Sequence, residues 1–135
     1  MQSKSFAKNL IKICSHVERV AISGHKNPDY DSICSCLAMQ EILRQNKIAA
    51  DIILEKPLEP TFAEIVMKNH FIYVPTKQYD AVISVDTPDK KMLPANALEL
   101  KEKAKYTFAL DHHKDHSCYC LLYTSDAADE EDSVD

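Results

Sequence analysis

The chain has 135 residues, 45% of them hydrophobic, and a formal net charge of −5. That is enough for one domain with a sizeable core, and too apolar for a wholly disordered chain. No apolar run approaches the ~18 residues that a membrane span needs, so no membrane partner is expected.

The charge is unevenly placed. Residues 121–135 hold six acids (Asp126, Asp129, Glu130, Glu131, Asp132, Asp135) and no Lys or Arg. The 15 acids of residues 1–120 nearly cancel 16 bases, so duplex DNA is not an expected partner either. The opening ten residues lack the apolar stretch of a signal peptide, and a cytoplasmic setting is expected. Five cysteines, an odd number at 14, 34, 36, 118 and 120, argue against a disulfide framework and do not match structural zinc spacing. Gly24 is the one glycine, which excludes the Gly-rich phosphate loops of both common types.

In chain order, Phe6 to His16 has helical apolar spacing, and Glu18 to Gly24 reads as a short buried strand. A helix is expected over Ser32 to Asn46, with Asp31 placed to cap it. Ala49 to Leu54 reads as a strand, Thr61 to Lys68 as a short helix and Phe71 to Val74 as a weak strand. Asp80 to Asp86 is a strong strand, Ala95 to Lys105 a helix and Tyr106 to Leu110 a strand. Strands separated by helices predict an α/β fold: a doubly wound, mostly parallel sheet with helices on both faces. Ligands in such sheets sit at the carboxyl ends of the strands.

Three predicted strands deliver acids or imidazoles at that edge: His25, Asp29 and Asp31 follow the first, another ends in Asp86, and the last ends in Asp111, His112 and His113. One strand-end Asp is ordinarily a turn or cap residue. Three strand ends doing so together point to a divalent cation, and mixed carboxylate and imidazole ligation favours Mn²⁺, Fe²⁺, Co²⁺ or Zn²⁺. Asp29 and Asp31, two apart, suit one carboxylate per metal in a two-metal site. Such a site, with ions about 3.5–4 Å apart, clamps a phosphoryl group for in-line attack.

The segment His25-Lys26-Asn27-Pro28-Asp29-Tyr30-Asp31-Ser32, then Asp86, then Asp111-His112-His113, resembles the first three motifs of the DHH phosphoesterase family in order and spacing. The resemblance implies a doubly wound α/β domain holding two Mn²⁺ ions, with Mg²⁺ or Co²⁺ as substitutes, and hydrolysis of phosphate esters or anhydrides. It implies that His25 and Asp29 ligate the first metal, Asp31 and His112 the second, and that Asp86 bridges both. His113 would face the substrate phosphate as donor or acid, and Asp111 would support His112 from behind. Tyr30 stands where the family often has Gly. It either narrows the site or stacks on a base, or else it points to solvent.

Two branches compete within the resemblance. Residues 24–29 and 31–35 are similar to family II inorganic pyrophosphatases. The helix ahead of the first strand is similar to the branch that degrades short oligoribonucleotides and dephosphorylates 3′-phosphoadenosine-5′-phosphate, which is the favoured expectation. The expected partner is therefore a short oligoribonucleotide or mononucleotide substrate, with a homodimer left open. A non-catalytic nucleotide-binding or regulatory module is the reading of another class. The family's fourth motif, one further Asp ligand, and its C-terminal domain are not expected within these 135 residues. Residues 1–118 read as the N-terminal part of the domain. Residues 119–135 read as a disordered acidic tail that resembles translated sequencing adaptor, so the native sequence is expected to depart from this one near Cys118. The chain as written is expected to bind at least one metal weakly and to turn over little.

Overall fold

A computed structural model describes residues 2–85, 93–113 and 118–124. Chain order is α1 (Gln2–Cys14), β1 (Val20–Ser23), α2 (Tyr30–Gln45), β2 (Ala50–Ile53), a 3-10 turn (Pro60–Phe62), α3 (Ala63–Lys68), β3 (Phe71–Ile72), β4 (Ala81–Val85), α4 (Ala95–Lys103), β5 (Tyr106–His113) and β6 (Cys118–Thr124). The six strands lie in the order β3-β2-β1-β4-β5-β6. All neighbours run parallel except β5 and β6. The expected α/β class is therefore the observed one.

β1 and β4 are buried at every residue, as central parallel strands covered on both faces must be. Alternate residues supply two cores. Ile22, Ile52, Ile83 and Phe108 face one, with Leu10 and Cys14 of α1 and Ile33, Cys36 and Leu43 of α2. Ala21, Ile53 and Val82 face the other, with Leu100 of α4 and Tyr79. Helices thus cover both faces. At the amino end, the Asp80 carboxylate accepts from the backbone N–H groups of Glu18 and Arg19, at 3.0 and 2.9 Å, and ties the entry of β1 to that of β4.

α2 ends in a Schellman motif: Ile48 N–H donates to Leu43 O and Lys47 N–H to Arg44 O, both at 2.9 Å. Lys47 adopts the left-handed φ of 64° that this motif requires.

The strand that starts at Tyr106 ends in the Asp-His-His triplet, because β5 extends to His113 by pairing with β6: Asp111 with Cys120, His112 with Tyr119 and His113 with Cys118. One expectation is corrected. A disordered tail from 119 is corrected over residues 119–124, which belong to that antiparallel edge strand; residues 125–135 lie outside the described ones.

Candidate metal and phosphate site

The sheet order reverses between β1 and β4. β1 continues outward through α2 to β2 and then β3, whereas β4 continues the other way to β5. A crevice outside the carboxyl ends at such a switch point is where α/β sheets bind ligands. His25 follows β1 by two residues, and Asp86 follows Val85, the last residue of β4. Val85 pairs with Leu110, the residue before Asp111. The backbone thus brings the three motif segments to one edge. Asp86 lies outside the described residues, as do the side chains of Asp111, His112 and His113.

Gly24 makes the helix approach possible. A Cβ there would collide with Ser32 Oγ and would lie 3.6 Å from Cys36 Sγ. The missing side chain lets the first turns of α2 settle on the end of β1. α2 starts at Tyr30, one residue before Asp31, which overturns the expectation that Asp31 is the cap. Asp29 holds the extended backbone of an N-cap (φ −96°, ψ −174°), and its Oδ1 accepts from Ser32 N–H at 2.8 Å. Asp31 instead sits in the first turn, exposed, where the helix dipole favours a carboxylate. Asp29 keeps Oδ2 for another partner.

Tyr30 is 62% exposed and its ring stacks on Phe62, with centroids 6.5 Å apart and planes 18° apart. Its hydroxyl pKa is raised, first by a hydrogen bond with Cys34 one turn along α2. Tyr30 is thus exposed at the start of α2, where it touches Phe62.

Among the described residues, no three His, Cys, Asp or Glu side chains form a ready cation site. The donors that are described still fit one. Neither Asp29 nor Asp31 has an ion-pair partner among the described residues, and the half-buried imidazole of His25 stands at the same edge. Carboxylate and imidazole together suit a borderline divalent ion such as Mn²⁺.

A cavity of about 200 Å³ opens beside His25, on the β2 side of β1. It lies between the loop that leads into α2 and the loop that follows β2. Lys26, Asn27, Ser32, Lys56 and Phe62 reach its lining. Ser32 is wholly buried, and its Oγ has no hydrogen-bond partner among the described residues. These residues carry no spacing signal in the sequence, because the cavity joins two loops about thirty positions apart. The polar stretch His25 to Asp31 was the one legible hint of it.

Residues 19–129 match the model of the DHH family, N-terminal domain. The chain is 31% identical over 103 residues to a probable manganese-dependent inorganic pyrophosphatase of Bacillus cereus (strain B4264), covering 73% of this chain and 32% of that one. A protein of the same description from Bacillus anthracis (strain CDC 684 / NRRL 3495) matches with the same identity and coverage. The chain thus spans about a third of the length of these curated relatives. In fold it is similar to the crystal structure of an exopolyphosphatase-related protein from Bacteroides fragilis, with a TM-score of 0.67 and 16% identity, over 82% of this chain and 35% of that one. Among the described residues, no helix is long and apolar enough to cross a membrane.

Proposed function

The chain belongs to the DHH family, and we propose that it serves metal-dependent hydrolysis of phosphoester bonds in small nucleotide substrates, namely short oligoribonucleotides and 3′-phosphoadenosine-5′-phosphate. The observation that carries this reading is the convergence of three motif-bearing strand ends on the β1–β4 switch point. His25, Asp29 and Asp31 would hold divalent ions there, with Asp86 and His112 completing the set. When bound, such ions supply Lewis-acid charge and lower the pKa of a coordinated water.

The chain's own residues do the positioning. Ser32 N–H fixes the Asp29 carboxylate through Oδ1, so its other oxygen is presented in a set direction. The first turn of α2 adds the positive end of a 16-residue helix beside the phosphate position. His113 would donate a proton or hydrogen bond to the phosphate, and Asp111 would hold the tautomer of His112.

A second reading, a manganese-dependent inorganic pyrophosphatase, is favoured by the 31% identity to relatives of that description. The experiment that separates them measures Mn²⁺-dependent phosphate release from 3′-phosphoadenosine-5′-phosphate, a diribonucleotide and pyrophosphate, using the intact gene product. Preference for the two nucleotides supports the proposal, and preference for pyrophosphate supports the second reading. Asp86→Asn should abolish both metal uptake and hydrolysis. Nucleotide binding that survives without metal or turnover would identify a regulatory module instead.

A further inference from the structure

The cavity beside His25 has the wrong chemistry for a bare phosphate. Its apolar lining includes Leu58 and Phe62, with the buried Ile33 and Ile53 behind. Lys26 and Lys56 reach it, but Glu55 and Glu59 do too, so its charge is close to balanced. A multiply charged inorganic anion gains little from a balanced, partly apolar lining. An uncharged planar group gains from it, because apolar burial and ring stacking both favour such a group.

One further feature points to a ligand there. The Phe62 ring is held in place by its stack with Tyr30 at 6.5 Å.

Size narrows the occupant. Drug-sized ligands fill roughly 300–1,000 Å³, whereas about 200 Å³ holds one ring system and little more. His25 lines the cavity and stands at the carboxyl edge, so a group inside is one short linker away from a phosphate outside.

We propose that this cavity is the nucleoside subsite, with Phe62 as the stacking surface for the base. The proposal rests on the phosphoester reading of the neighbouring edge and deepens it, since a nucleoside subsite has no use for pyrophosphate.

The test titrates the full 135-residue chain with adenosine 5′-monophosphate, and separately with inorganic phosphate, following amide shifts by NMR. The nucleotide should move the amides of Ser32, Leu58 and Phe62, and phosphate alone should not. Phe62→Leu keeps apolar bulk and should weaken binding by about fivefold through loss of stacking. Equal cavity shifts from phosphate, or wild-type affinity in the Phe62→Leu variant, would overturn the proposal. A Mn²⁺ titration of the same sample separates the two claims. Nucleotide in the cavity without metal uptake leaves the subsite standing and ends the hydrolase reading. Metal uptake with a silent cavity ends the subsite alone.

Discussion

Asp29 has two duties, and they can be told apart by substitution. Its Oδ1 caps α2, while Oδ2 is the oxygen left for a cation. Asn caps as well as Asp does. Asp29→Asn should therefore leave the melting temperature nearly unchanged and still lower Mn²⁺ affinity by at least about tenfold. Asp29→Ala should do that and also cost about 1 kcal/mol of stability in denaturant unfolding. Gly24 is the second residue on which the site depends. Gly24→Ala should destabilise by about 1–3 kcal/mol, since the new Cβ meets Ser32 Oγ. Pairing it with Ser32→Ala should recover at least ~0.5 kcal/mol in a double-mutant cycle. Additive losses would place the collision elsewhere.

At the scale of elements, the ends of α2 decide its stability and its place. The amino end is fixed by Asp29, and the carboxyl end by Lys47 in the left-handed region. An L-residue with a side chain pays for that conformation with about 1 kcal/mol relative to Gly. Lys47 is exposed, so Lys47→Gly should raise stability by up to about 1 kcal/mol, read as a higher urea midpoint with an unchanged slope. The packing of α1 is testable through Cys14, whose thiol burial pushes up to about 12 from 9.0. The folded chain then keeps a proton that the unfolded chain gives up near pH 9. Stability from this group is full below that pH and falls as pH rises toward 12. Iodoacetamide at pH 8 should spare Cys14 until the chain unfolds, as peptide mapping by mass spectrometry would show.

Most of these elements were legible in the sequence because their signals are local. Val20–Ser23 and Ala81–Val85 are short apolar runs, which fits strands buried on both faces. The cap was misplaced because two Asp lie within three residues, and the choice depends on where the backbone turns helical. β6 has no local signal that separates it from the acidic stretch after it, because its pairing with β5 is a tertiary fact. Beyond the polar stretch His25 to Asp31, nothing in the sequence signals the cavity. It exists only once the loop after β2 folds against the loop before α2.

At the scale of the molecule, one topological feature organises the chemistry. The order β3-β2-β1-β4-β5-β6 puts the reversal between β1 and β4, and the motif segments at the carboxyl ends of β1, β4 and β5. The cavity opens beside it on the β2 side. A reacting phosphate at the switch point and an organic group in the cavity would then share the His25 loop. The motif order could be read along the chain, but the reversal that unites it required the strand order.

The central claim is that this carboxyl edge is a divalent metal site. Electron paramagnetic resonance of the full chain titrated with Mn²⁺, beside an Asp29→Asn/Asp31→Asn double variant, tests it most directly. Both substitutions keep size, Asn at 29 keeps the cap, and both leave the fold's apolar cores untouched. The expected result is saturable Mn²⁺ uptake by the parent chain, weakened at least about tenfold in the double variant, with a stability loss no larger than the about 1 kcal/mol of a helix-dipole contact. Equal uptake by the two, or none by the parent at millimolar Mn²⁺, would contradict the account.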